Sequence, residues 1–396
     1  MAYLRNTIIN LLNLHYGITA LALNSGGVFF GVYLLRAGVS PPLVLASFAL
    51  IVSARFLIRP FVLFPVRRFG LKPALIFGAV AMSGQYLVIP NVRGVDWALL
   101  WLCLVAALGD TFYWTCYHAY FAALGDREHR GHQISAREAL ASVAGIVAPL
   151  LGGWALVTFG ARIAFSAVAC VQIASALPLL LTPNVTVATR APGAIKAART
   201  GMLLFLADGW IGGTYIFVWL VLLFLTLGES FTAYGGAMAL AALAGAAAGL
   251  VLGRQIDLGH GTKAAFVAIG VLAATTLLRA ASAGLPGLAV LANALGAFVY
   301  CLYTPTMMTA VYNQAKLAPC TFRFHLACEG AWDVGCGLGS LVAALLAFLR
   351  VPLPYGVLLA LLGAATSFIT LRRYYAEHPR NSIAPSGGAK VAAQPD

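Results

Sequence analysis

The chain has 396 residues, of which 61% are hydrophobic and only 9% charged, with a mean hydropathy of +0.89. Soluble domains carry about 25% charged residues, so this composition excludes two or three soluble domains and implies a polytopic membrane protein. The net charge of +13 needs no nucleic-acid partner, because basic residues gather on the cytoplasmic side of membrane proteins.

Apolar stretches of about 20 residues cross a bilayer. Charged or Pro/Gly-rich breaks divide this chain into twelve, at 8–35, 41–64, 72–91, 96–124, 137–158, 161–182, 201–227, 231–253, 264–283, 286–313, 326–349 and 354–372. The first opens like a signal peptide, with Arg5 and Ala20-Leu21-Ala22. It runs on to Leu35, longer than a signal-peptide core, and reads as an uncleaved helix. With the N-terminus inside, eighteen of the 25 Lys and Arg residues fall in inner segments, four in outer segments and three within helices. That bias predicts a multi-pass protein of the inner membrane with both termini cytoplasmic. The longest polar break, 183–200, predicts a cytoplasmic linker between six-helix halves at 1–182 and 201–375, followed by a disordered tail at 376–396. The seven cysteines form no CxxC pair, so neither a disulfide framework nor a metal site is expected.

Charges inside apolar runs are expensive and are functional candidates. Arg55 and Arg59 sit one turn apart in the second stretch, and Glu329 and Asp333 repeat the spacing with opposite sign in the eleventh. Counting from helix ends near Phe64 and Leu326 pairs Arg59 with Glu329 and Arg55 with Asp333, as a gate that forms when the cytoplasmic side closes. Asp110 lies near mid-membrane in the fourth stretch and is the candidate for proton coupling. His15 and Asn24 read as packing groups, Asp208 as a residue favoured by a helix N-terminus, and Arg279 as a cation snorkelling from an outer helix end.

The two halves show internal similarity. Leu108-Gly109-Asp110 with Tyr113 in the fourth stretch matches Leu295-Gly296-Ala297 with Tyr300 in the tenth, and Glu138 matches Glu329. This favours a parallel duplication. Two loops carry a more specific pattern. The loop after the eighth stretch reads Gly253-Arg254-Gln255-Ile256-Asp257-Leu258-Gly259-His260-Gly261-Thr262-Lys263, and the loop after the second keeps Arg67, Arg68, Gly70 and Lys72. They resemble the G-x-x-x-D-R-x-G-R-K loop of the major facilitator superfamily, although Arg67 stands where the first copy has its Asp. The fifth stretch carries Gly145, Pro149, Gly152 and Gly153, similar to the Gly-Pro-x-x-Gly-Gly element of that family's proton-driven exporters.

The resemblance implies an all-α integral membrane fold of twelve helices in two halves, working by alternating access. It also implies that the first, fourth, seventh and tenth helices line a central cavity. Tyr113, Tyr117, His118, Trp210, Tyr215, Tyr300 and Tyr303 on those helices are then candidate cavity residues, suited to a partly apolar solute. The chain has no GxSxG, HExxH or phosphate-binding Gly-Lys-Ser/Thr loop, so neither an enzyme nor an ATP-driven pump is expected, and no cofactor. The expected activity is proton-coupled export of a small organic solute across the lipid bilayer, by a protein functional as a monomer. Uptake of an organic anion, lipid flipping and a non-transporting receptor are the alternatives.

Overall fold

The computed structural model describes residues 6–124, 130–188, 190–256 and 261–377. Asp257 of the second loop pattern and nearly all of the 376–396 tail lie outside the described residues. Among the described residues, twelve helices are long and apolar enough to cross a membrane. In chain order they are α1 Thr7–Arg36, α2 Pro41–Phe69, α3 Leu71–Asn91, α4 Trp97–Leu124, α5 Arg130–Thr158 and α6 Gly160–Leu180. The second six are α7 Arg199–Thr226, α8 Phe231–Ile256, α9 Gly261–Ala281, α10 Pro286–Leu317, α11 Thr321–Phe348 and α12 Leu353–Glu377. These helices make the protein a multi-pass membrane protein.

Local sequence sets where these helices start and bend. The Asp96 carboxylate caps α4 by accepting from the backbone N–H of Leu99 (2.9 Å) and also closes the preceding turn onto Arg93 N–H (3.0 Å). Those backbone donors hold its carboxyl below the ordinary carboxylate range. Proline interrupts the hydrogen-bond ladder inside α2 at Pro60 and Pro65, inside α5 at Pro149 and inside α10 at Pro305. Helix α7 widens into a π-helical turn over Gly212–Phe217.

Small residues let the helices approach closely. A Cβ at Gly78 of α3 would lie 2.5 Å from the backbone nitrogen of Tyr113, and one at Gly109 of α4 would lie 2.6 Å from that of Met82. Gly209 and Gly335 play the same part between α7 and α11. The two halves meet along α2 against α11 and along α5 against α8. The Gly-Pro element of α5 packs both within its half and across that seam: Gly152 rests on the Ser25 carbonyl of α1, while Gly153 rests on the Phe231 carbonyl of α8 and Pro149 receives Gly235 of α8.

Contacts between the halves close both ends. On the side away from the termini, Phe29 and Tyr33 of α1 meet Phe231 and Tyr234 of α8, and Phe48 of α2 stacks on Phe217 of α7 at 4.3 Å. Arg36 and Glu229 approach to 3.8 Å at the rim. On the side of the termini, Phe322 of α11 is buried in the cluster that holds Val62 and Val66 of α2.

Candidate functional site

Five charged side chains from three helices meet where α2 crosses α11. Asp333 is almost fully buried, and both arginines reach it. Arg59 donates from Nε (2.8 Å) and Nη2 (2.5 Å) to Asp333 Oδ2, and from Nη1 to the Thr115 hydroxyl of α4 (2.9 Å). Arg55 Nε lies 3.1 Å from Asp333 Oδ1, and its Nη1 lies 3.7 Å from Asp110 Oδ2. Glu329 stands 3.9 Å from both guanidiniums.

Both pairs expected from depth occur, Arg55 with Asp333 at 3.1 Å and Arg59 with Glu329 at 3.9 Å, but the closest contact is Arg59 on Asp333, and the true helix ends leave the relative depths unchanged. Helix α2 runs five residues past Phe64, to Phe69, and α11 begins five residues before Leu326, at Thr321. Arg59 is therefore ten residues and Arg55 fourteen from the end of α2, while Asp333 is twelve and Glu329 eight from the start of α11. Asp333 falls between the two arginines and takes both. Glu329 sits shallower and reaches neither closely.

Beside this network is a cavity of about 100 Å³, walled by α7, α10 and α11. Asp208, Tyr215, Tyr300, Tyr303 and Trp332 supply its polar and aromatic lining. Three of the proposed cavity residues, Tyr215, Tyr300 and Tyr303, line it. Trp210 does not; its indole N–H donates to the Leu359 carbonyl of α12 (2.8 Å). Tyr113 and Tyr117 are fully buried and stack on each other, with His15 against both. The face they share belongs to the packed core with α1, not to a cavity. His118 is half-buried and stacks on Trp114.

The packing reading holds for His15, which contacts the Ser175 carbonyl (2.6 Å) and the Tyr113 hydroxyl (3.2 Å). The helix-N-terminus reading of Asp208 and the snorkelling reading of Arg279 do not match the structure. Asp208 is a cavity residue, and Trp332 Nε1 donates to its carboxylate (2.9 Å). Arg279 does not snorkel: it is 4% exposed, donates to the Tyr215 carbonyl within the π turn (2.9 Å) and lies 3.8 Å from the centre of the Tyr215 ring. Sequence reading also passed over Trp332. It stands beside Asp333 on α11, which is the signal that would have found it.

Of the loop residues, Lys72 donates to the Thr182 carbonyl (2.7 Å) and so ties the start of α3 to the end of α6. Gly70 adopts φ +89°, against Asn184, where a side chain would be strained. Arg67, Arg68 and Lys263 are exposed, and Gly253 lies within α8.

No curated protein sequence matches this one. Solved structures resemble it in fold. The human organic anion transporter MFSD10 (TETRAN) superposes with a TM-score of 0.68 at 16% identity, over 92% of this chain and 99% of that one. The POT family transporter PepTSo gives 0.67 at 10% identity, over 93% and 98%. FucP, a transporter captured in the outward conformation, gives 0.66 at 15%, over 93% and 99%. The family model of the Major Facilitator Superfamily matches residues 18–319, more than half of the chain. With its twelve helices and these transporter folds, the chain belongs to the Major Facilitator Superfamily and is a secondary transporter of a small molecule rather than an enzyme.

Proposed function

We propose that this transporter couples proton movement to export of a small amphipathic organic solute, by rocking its two halves about a midplane site. The carrying observation is the charge network across α2, α4 and α11. Two guanidiniums face three carboxylates, so one acid is in surplus. Such a surplus in a largely dry interior calls for a proton or a cation. Asp110 is the acid best placed to exchange it, because it is the most exposed of the three and is held by one guanidinium at 3.7 Å. Arg55 touches both Asp110 and Asp333, so a proton on Asp110 frees Arg55 from one of its partners and shifts the balance of the seam. The small-residue element of α5, packed on α1 and α8, supports a sealed seam that resists proton leakage. The excess of basic residues on the side of the termini supports a cytoplasmic-membrane placement with both ends inside. The fold needs only one chain, which supports function as a monomer.

Transport in proteoliposomes tests the coupling. Asp110→Asn is expected to abolish accumulation or efflux driven by a pH gradient while leaving solute binding and exchange partly intact, with Asp110→Glu retaining coupling. Undiminished pH-driven transport by Asp110→Asn would remove Asp110 from the mechanism.

A further inference from the structure

We propose that the cavity between α7, α10 and α11 binds the positively charged head of the solute, an alkyl- or arylammonium group, with Asp208 as its counter-ion. This rests on the transporter reading and assigns the charge of the substrate, which that reading leaves open.

Asp208 carries the argument. Among the described residues it makes no salt bridge, although every other carboxylate in the central region faces a guanidinium. Its neighbours are neutral donors. The Trp332 indole N–H donates to it, and the Tyr303 hydroxyl, which also bonds Ser367, approaches it. A half-buried carboxylate so placed retains unmet demand for positive charge, which a charge-assisted hydrogen bond or ion pair would meet.

The walls suit the same ligand. Tyr300 is about half exposed and lines the cavity together with Tyr215, Tyr303 and Trp332. Aromatic faces attract ammonium groups through the ring quadrupole. Two arginines already exploit this nearby: Arg55 lies 5.3 Å from the Trp332 ring centre and Arg279 lies 3.8 Å from that of Tyr215. Neither arginine belongs to the lining. An anion entering here would meet Asp208 with no cation in the wall, whereas a cation would meet a carboxylate framed by rings. The π turn of α7 supplies Gly212, Tyr215 and Ile216 to the wall, and such turns are frequent at functional sites. The volume of about 100 Å³ accommodates a head group rather than a whole drug-sized molecule, for which pockets run to roughly 300 Å³ or more. Trp332 also stands next to Asp333, so occupancy of the cavity bears directly on the helix that carries the seam.

Calorimetric titration of the purified full-length protein with benzyltrimethylammonium, benzenesulfonate and benzyl alcohol tests the assignment. The cation is expected to bind at least tenfold more tightly than the sulfonate or the alcohol. Asp208→Asn should weaken cation binding at least tenfold, Asp208→Glu should retain most of it, and Tyr300→Leu should reduce it severalfold. Tyr300→Leu carries the test if Asp208→Asn does not fold. No binding of the cation, equal or tighter binding of the sulfonate, or unchanged affinity in Asp208→Asn would overturn the site. Proton-driven flux of the same probes in liposomes separates the two readings. Sulfonate flux without cation binding sinks the site and spares coupled transport. Cation binding without flux of any probe spares the site and counts against coupled transport.

Discussion

Asp333 shares its two oxygens between two guanidiniums, with Oδ2 accepting from Arg59 and Oδ1 facing Arg55. Removing that charge leaves two buried cations opposed by two looser acids, Asp110 and Glu329, and breaking a buried pair costs about 3–5 kcal/mol. Asp333→Asn should therefore lower the thermal stability of the detergent-solubilised protein far more than Glu329→Gln. Glu329 stands 3.9 Å from either arginine, and a loose pair contributes about 1 kcal/mol or less. If the two acids are partners in the gate on equal terms, the two variants will melt alike. The reciprocal swap Arg59→Asp with Asp333→Arg should recover part of the transport lost in each single variant. The same swap with Glu329 should recover less. These residues were legible in the sequence because four charges in two apolar runs have few purposes. The two pairs by depth were legible as well; that Asp333, lying midway between the arginines, holds Arg59 more closely than Glu329 does was not, because a residue count gives depth and not side-chain reach.

Helix packing in the two halves follows one pattern with different neighbours. Gly109 of α4 and Gly296 of α10 occupy matching positions in the duplicated sequence, yet the first lies against the backbone of α3 and the second against the Arg279 guanidinium of α9. A methyl group at Gly109 would sit 2.6 Å from Met82 N, where only a helix shift relieves it, whereas the end of a long side chain can retreat. Overpacking typically costs about 1–3 kcal/mol. Gly109→Ala is expected at or above the top of that range and Gly296→Ala near the bottom, read as loss of melting temperature. The reverse order would mean that Arg279 is held more rigidly than the helix backbone. Element existence was plain from the apolar runs, but which face of a helix meets a cavity was not. Tyr113 and Tyr117 share a face with Asp110, and i, i+4 spacing says nothing about whether that face meets core or cavity. Asp208 was misread for a similar reason. Its nearness to the start of α7 supplied an electrostatic explanation, while the cavity it lines with Tyr215 leaves no mark in hydropathy.

At the scale of the whole molecule, contacts between the halves close both ends of the seam, and the small cavity lies within the second half, among α7, α10 and α11. The aromatic contacts among α1, α2, α7 and α8 lie on one side, the α2–α11 packing on the other, and the charge network lies between. Transport by rocking requires each closure to open while the other holds, because both open at once would make a channel. Cysteine staples separate these requirements. In a background lacking the seven native cysteines, one pair replaces Arg36 and Glu229, whose side chains meet at 3.8 Å on the exposed rim. The other replaces Phe56 and Gly330, where a Cβ on Gly330 would lie 3.8 Å from the Phe56 ring. Either crosslink should abolish solute flux, and reduction should restore it. Both crosslinks should form in one molecule, since the closed state presents the two pairs together. In intact cells the Arg36–Glu229 pair should react with a membrane-impermeant bifunctional reagent, as the cytoplasmic placement of the termini requires. Full transport with either staple in place would sink the rocking motion. Protection of the rim pair from the impermeant reagent would reverse the orientation and leave the motion untouched.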